Sequence, residues 1–194
     1  PNFLKLKETK TRWDFKNLRR GIDENLSIDN TTHSLFGVSK ASADLMVQEF
    51  GRYFDMPTCS LRAGCLTGYN QSGVELHGFL NYLIKTNLSE KKYSVFGYKG
   101  KQVRDNLHAE DLSNLFEYII KKPVKGEVFN IGGGKNNSIS ILESFNLIES
   151  ISGKKMKYKY FAKNRIGDHI CYYTNLDKVH KYYPKWKINF SINK

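Results

Sequence analysis

The stretch that decides the fold is SKASADLMVQEFGRYFDMPTCSLRAG, residues 39–64, in which a helical pattern runs directly into a strand pattern. Apolar side chains recur at helical spacing from Ser39 to Phe54, and Pro57 forbids continuation of that helix. The segment 58–63 is short and follows the helix directly, so it predicts a strand. Such alternation is typical of α/β proteins with parallel strands.

The same alternation continues towards the carboxyl end. Residues 1–32 are polar and irregular, which predicts a long connecting segment, and residues 64–73 form a Gly-, Asn- and Ser-rich loop. Ser140 and Glu143 have the spacing of a capping box, and Gly153 is a plausible end for the helix that they start. The remaining predicted elements are helices over 74–88, 109–121 and 175–183 and strands over 93–96, 103–107, 127–131 and 157–161.

Composition limits the class of protein. With 40% hydrophobic and 26% charged residues the chain is typical of a globular protein, and no apolar run approaches the ~18 residues of a membrane helix. The net charge of +12 favours an anionic partner. The basic residues are scattered, however, and the longest basic clusters are pairs, which favours a solvated surface over a nucleic-acid-binding face.

Cysteine and histidine usage argues against disulfides and metals. The cysteines Cys59, Cys65 and Cys171 form no CxxC motif, and no export signal precedes them, so we expect a reducing, cytoplasmic setting. The five histidines show no metal-ligand spacing, which predicts no metal site.

Two segments contain arginines suited to phosphate. Arg104 follows a Gly-bounded turn in an extended segment, and Arg165 lies in the loop RIGDH. A planar guanidinium binds phosphate in a bidentate manner, so both are candidate diphosphate ligands, although a lone arginine loop is more often surface. Glu110 and Asp111 stand at a predicted helix start, where acidic groups complement the helix dipole.

The triple glycine 132–134 follows a predicted strand and resembles a dinucleotide-binding turn. The GxGxxG pattern would require glycine where Asn137 stands, and no acidic residue closes a following strand. We therefore interpret the glycines as a tight strand-to-helix connection and not as the cofactor phosphate loop.

The order of the motifs is more specific than any one of them. The chain contains, in this order, the segments HSLFGVSKASADLMVQEFGRYFDMPTCSLRAGCLTG, VFGYKGKQVRDNLHAEDL, EVFNIGGGKNNSISILE and NRIGDHICYYTNLDK. This series resembles the extended short-chain dehydrogenase/reductases, and within them the NAD-dependent nucleotide-sugar epimerases. The stretches GVELHGFL and GYKGKQVRDN resemble the 2-epimerase branch that acts on CDP-paratose. The resemblance covers the chain from about Pro1 to Trp186.

The resemblance implies a C-terminal part of a larger enzyme, because the family places its Gly-rich cofactor turn and a catalytic Ser or Thr before the segment with which this sequence begins. Residues 1–68 would belong to a Rossmann-like NAD-binding domain, and 69–194 mainly to a smaller nucleotide-sugar domain, with 102–131 returning partly to the first. A piece of this kind would bind cofactor poorly and be inactive alone. The full-length protein is expected to form a homodimer through the helix that bears Lys40.

The resemblance also assigns roles by position. Lys40 would contact the nicotinamide ribose and act in catalysis, and Ala63 and Gly64 would follow the strand beneath the nicotinamide. A second set would bind the nucleotide sugar: Cys65, Leu76, His77, Phe96 and, through the diphosphate, Arg104 and Arg165.

One position departs from the family. Its catalytic tyrosine is replaced by Phe36, which has no hydroxyl and cannot exchange the proton. Three interpretations follow: the protein only binds a sugar nucleotide; another group such as His33, Cys65 or the absent Ser/Thr acts as base; or water relays the proton to Lys40. The expected activity is epimerisation at C2 through a transient ketone, and a 4,6-dehydratase or 4-epimerase is the enzymatic alternative.

Overall fold

A computed structural model of the chain describes residues 2–75, 78–165 and 167–192. It is an α/β fold, as predicted. The α-helices in the described ranges are α1 (Leu35–Tyr53), α2 (Phe79–Leu88), α3 (Ala109–Lys121), α4 (Ile141–Ser152) and α5 (Asp177–Tyr182). The strands are β1 (Leu6–Glu8), β2 (Trp13–Phe15), β3 (Cys59–Ala63), β4 (Cys65–Thr67), β5 (Lys92–Phe96), β6 (Val103–His108), β7 (Glu127–Ile131), β8 (Ser138–Ser140) and β9 (Lys157–Phe161).

The strands form small sheets with mostly parallel pairing. Strand β3 pairs with β7, β4 with β6 and β5 with β9, all in parallel, whereas β8 pairs antiparallel with β6 and β1 antiparallel with β2. Parallel pairs require crossovers, and helices supply them here. The carboxyl ends of β3 and β7 lie side by side at Ala63 and Ile131.

Local sequence signals explain several helix boundaries. The Ser34 hydroxyl accepts a hydrogen bond from the Gly37 amide, so α1 begins at Leu35, one turn before the predicted start. The predicted capping box at the start of α4 is present, and Gly153 ends that helix in the left-handed conformation with φ 69°.

Three predictions about secondary structure are corrected. The segment 1–32 contains the hairpin of β1 and β2, and the loop 64–73 contains β4; each of these strands has only three residues, too few for a periodic signal. Helix α2 begins at Phe79 and not at residue 74, because Gly78 adopts the left-handed conformation with φ 67°.

Three apolar clusters form the core. One packs α3 and α5 against β6 and β7, a second packs α2 and α4 against β5, and a third joins β2 to the segment around Tyr173. The largest fully buried side chain is that of Trp186, whose indole Nε1 donates to the carbonyl of Asp111 at 2.9 Å. In the described ranges no helix is long and apolar enough to cross a bilayer.

Candidate nucleotide-sugar site

A cleft of about 260 Å³ opens between the start of β4, the end of β5 and the loop before residue 168. It contains four of the side chains predicted to bind the sugar nucleotide, namely Cys65, Phe96, Arg104 and Arg165. These residues are distant in sequence, and the parallel pairing of β4 with β6 brings the first and third of them together. The other residues that line the cleft are Glu75, Gly78, Phe79, Tyr93, Ser94, Val95, Gln102, Ile141 and Asp168.

Asp168 forms ion pairs with both arginines of the cleft. Its Oδ1 lies 2.5 Å from Nη2 of Arg104, and its Oδ2 lies 3.7 Å from Nη2 of Arg165. Arg104 also donates from Nη1 to the carbonyl of Val103 at 2.7 Å. The side chains of Arg104 and Asp168 are only 18% and 11% exposed, so their charges interact in a partly dehydrated setting. Two guanidinium groups around one carboxylate suit the binding of a diphosphate, and Glu75 brings a second carboxylate to the lining of the cleft.

Two neutral groups flank the arginines. Burial, and then the nearby Arg104 charge, lowers the pKa of His169 to about 4. Burial raises the pKa of the Cys65 thiol to about 11, in spite of the same guanidinium. At neutral pH the cleft therefore presents an uncharged thiol to a ligand, and Cys65 is a poor base there.

Part of the cleft wall is aromatic. The ring of Phe96 stacks on that of Phe161, with centroids 5.1 Å apart and planes 15° from parallel. Gln102 donates from Nε2 to the Phe96 carbonyl at 3.2 Å, and Phe79 and Tyr93 complete the wall. A flat apolar wall beside hydrogen-bonding groups is a surface on which a nucleobase can pack.

A second groove, of about 670 Å³, lies between α1 and β3. Lys40 and Ala63, both predicted to contact the cofactor, line it together with His33. Across the groove Arg62 pairs with Asp44 at 2.7 Å. Burial alone would raise the pKa of Asp44, but hydrogen bonds from Arg62 and Ser60 lower it, so this carboxylate is ionised and occupied.

Phe36 stands at the start of α1 with its ring 71% exposed. The ammonium of Lys40, one helical turn later, lies 5.2 Å from the ring centroid, a cation–π contact in place of a hydrogen bond to a hydroxyl. This end of the groove therefore lacks a phenolic proton donor.

Gly64 separates a residue of the groove from a residue of the cleft. It lies between Ala63, which lines the groove at the end of β3, and Cys65, which lines the cleft at the start of β4. The Gly64 amide donates to the Ile131 carbonyl at 2.8 Å, and a Cβ at this position would approach Oδ1 of Asp105 to 2.8 Å. The close approach of Asp105 therefore favours a glycine at this junction of two strands.

The triple glycine 132–134 is packed closely against protein, and Gly133 and Gly134 also line a surface groove with Arg19, Arg20 and Lys135. The Gly134 amide donates to Oδ2 of the buried Asp105 at 3.0 Å, and a Cβ on Gly133 would lie 2.1 Å from the Asn106 carbonyl. The segment leads into a 3₁₀ turn and β8 before α4 begins, so the expected direct strand-to-helix connection is wrong in that detail. The rejection of these glycines as a pyrophosphate turn agrees with the geometry.

Two predicted substrate ligands, Leu76 and His77, lie outside the described residues. Their neighbours Glu75 and Gly78 line the cleft. The sequence reasoning missed Asp168, for which the signal was a carboxylate three residues after Arg165. In the part of the chain that is described, no group of three or more His, Cys, Asp or Glu side chains is arranged to hold a metal ion.

Comparison with known proteins defines the class. The NAD dependent epimerase/dehydratase family matches residues 17–132, and the chain belongs to this family. Among individual relatives, the chain is 33% identical over 162 residues to CDP-paratose 2-epimerase from Salmonella typhi, covering 79% of this chain and 47% of that protein. It is 28% identical over 151 residues to dTDP-glucose 4,6-dehydratase from Shigella flexneri, covering 75% and 41%. The chain thus spans about half the length of these curated relatives.

Solved structures share the architecture. UDP-glucuronic acid 4-epimerase from Bacillus cereus, crystallised with UDP-glucuronic acid and NAD, superposes with a TM-score of 0.72 at 25% identity, covering 91% of this chain and 55% of that one. UDP-glucose 4-epimerase from Thermotoga maritima, crystallised with UDP-glucose, gives a TM-score of 0.71 at 24% identity, covering 84% and 50%, which supports the fold alone.

Proposed function

We propose that this chain is the substrate-binding part of an NAD-dependent nucleotide-sugar epimerase that converts CDP-paratose to CDP-tyvelose by inversion at C2. The observation that carries the proposal is the cleft with two arginines, whose residue Cys65 lies two positions after Ala63 of the Lys40 groove. A sugar diphosphate that lies in the cleft would reach the groove with its hexose end. The CDP-paratose 2-epimerase from Salmonella typhi, at 33% identity, supports the choice of sugar and base.

The cleft residues receive these roles. Arg104 and Arg165 bind the diphosphate, Phe96 supports the base, and Cys65 contacts the sugar. Leu76 and His77 are proposed to complete the sugar contacts. The presence of aromatic and cationic side chains in one cleft supports these roles, because a nucleotide sugar combines a flat base with an anionic diphosphate.

The chain's residues fit one end of NAD. Lys40, Ala63 and Gly64 would hold the nicotinamide and its ribose, since Lys40 and Ala63 line one open groove and the Lys40 ammonium contacts the Phe36 ring. When bound, NAD⁺ accepts a hydride from a sugar carbon and returns it to the other face. We assign residues 1–68 and part of 102–131 to the cofactor domain and the remainder to the sugar domain.

Helix α1 supports the proposed homodimer. Gln48 and Gly51 of this helix are buried, whereas the apolar residues Leu45, Met46 and Tyr53 are 53%, 60% and 79% exposed to solvent. Apolar faces of this extent are covered in a stable assembly. We propose that a second subunit and the remainder of the cofactor domain cover them; a monomer in light scattering of the full-length protein would contradict the dimer.

A second candidate function is sugar-nucleotide binding without turnover, which the Phe36 position favours. The two candidates are separated by incubating the full-length natural protein with NAD⁺ and CDP-paratose, dTDP-glucose or UDP-glucose in turn, followed by chromatography of the sugars. An epimer of CDP-paratose supports the proposal. Loss of water from dTDP-glucose would indicate a dehydratase, and tight binding of any of them with no product would indicate a binding protein.

A further inference from the structure

The groove between α1 and β3 contains five ionisable side chains in the described part of the chain, and four of them are unsuited to accepting a proton. Asp44 and Arg62 neutralise each other at 2.7 Å, and Lys40 is an ammonium. Burial raises the pKa of the Cys59 thiol, so it stays protonated at neutral pH. The remaining group is the imidazole of His33.

His33 is held in one tautomer. Its Nε2 contacts the carbonyl oxygen of Ile28, which can only accept a hydrogen bond, so Nε2 is the nitrogen that donates. In the neutral ring the lone pair then lies on Nδ1. A Cβ at Gly37 would lie 3.5 Å from Nδ1, so the missing side chain of this glycine leaves space beside the acceptor nitrogen.

We propose that His33, through Nδ1, is the catalytic base and acid of the hydride-transfer step, an inference that rests on the proposed function. The secondary alcohol of the sugar loses its hydroxyl proton to Nδ1 and its C–H hydrogen, with two electrons, to oxidised NAD. The resulting ketone reorients, regains the hydride on its opposite face and takes the proton back from the imidazolium. Phe36 beside it contributes a ring and no proton.

The charges around the groove fit this role. Lys40 on α1, together with the paired Asp44 and Arg62, are the charged side chains that share the groove with His33. The Lys40 ammonium on the same groove stabilises a developing alkoxide on the sugar.

The test uses the full-length natural protein, CDP-paratose and NAD⁺, and measures single-turnover formation of the C2 epimer. His33→Gln is expected to lower the rate by about 100- to 10,000-fold, because glutamine cannot accept the proton. Added imidazole is expected to restore part of the rate in His33→Ala, and the affinity for CDP is expected to stay within about twofold. His180→Gln, at an exposed histidine of α5, is the matched control and leaves the rate unchanged.

An independent readout is the ¹⁵N spectrum of the imidazole in the same protein, in which His33 is expected as the neutral tautomer protonated at Nε2. A His33→Gln variant that retains the wild-type rate overturns the inference while the proposed function stands. A wild type that forms no C2 epimer from CDP-paratose overturns both. The tautomer protonated at Nδ1 would also contradict the inference.

Discussion

Replacement of Arg104 by methionine is expected to weaken both the fold and the proposed ligand site, by separable amounts. The change removes the guanidinium that lies 2.5 Å from Asp168 and leaves a carboxylate that is only 11% exposed. Breaking a fully buried pair costs about 3–5 kcal/mol. Asp168 keeps the His169 amide at 3.0 Å and Arg165 at 3.7 Å, so we expect a loss of about 2 to 3 kcal/mol of unfolding free energy.

The same variant is expected to bind nucleotide less tightly. A charge-assisted hydrogen bond contributes about 1.5–3 kcal/mol, so loss of one such contact to a diphosphate weakens CDP binding by roughly 10- to 150-fold. Arg104→Lys keeps the charge and is expected to recover part of the stability but little of the affinity, because an ammonium cannot form the bidentate contact.

The assays are urea unfolding and calorimetric titration with CDP, both on the full-length natural protein. Arg20→Met is the matched control, since the Arg20–Asp177 pair is 77% and 57% exposed and exposed pairs contribute little. If Arg104→Met binds CDP as tightly as the wild type, the diphosphate site has been assigned to the wrong side chain. An unfolding free energy equal to that of the control would refute the energetic argument for the pair.

Three further outcomes are expected. Burial lowers the pKa of His169 to about 4, so on acidification this histidine is protonated in the unfolded chain before it is protonated in the folded one. The free energy of unfolding should therefore fall by about 3 kcal/mol as the pH drops from about 6.5 to 4. Urea unfolding at pH 6.5 and pH 4 should show a smaller loss in His169→Gln. Gly132→Ala would place a Cβ 2.2 Å from Oδ2 of Asp105 and should lower stability by about 3 kcal/mol, whereas Gly68→Ala, with its nearest contact at 3.4 Å, should stay within about 0.5 kcal/mol. Ser140→Ala removes the cap of α4 and should cost about 1–2 kcal/mol, checked by thermal unfolding monitored through circular dichroism; an unchanged midpoint would mean that the cap is redundant.

Elements with strong local signals were predictable from the sequence. The bounds of α3 and β7 agree with the prediction residue for residue, because Pro123, Gly126 and Gly132 interrupt the pattern near them, and the bounds of β9 agree as well. The hairpin of β1 and β2 and the strand β4 were not predicted, since three-residue strands carry no measurable period and depend on their partners.

The site was predictable only in part. The motifs around Arg104 and Arg165 stand out through arginine in glycine-bounded segments, and the resemblance supplied their roles. That Asp168 would join both arginines could not be derived, because one of them is 64 residues away and the contact exists only in the folded chain. The orientation of His33 likewise depends on the carbonyl of Ile28, which no side-chain pattern encodes.

The most direct test of the central claim follows the sugar by proton NMR in heavy water, with the full-length natural protein, CDP-paratose and NAD⁺. We expect the C2 epimer to appear with no deuterium at C2, because the hydride that leaves the sugar returns to it from the same cofactor. Deuterium at C2 would mean that a proton from solvent is added and would contradict hydride return. Unchanged CDP-paratose in the presence of bound NAD⁺ would contradict the epimerase assignment itself.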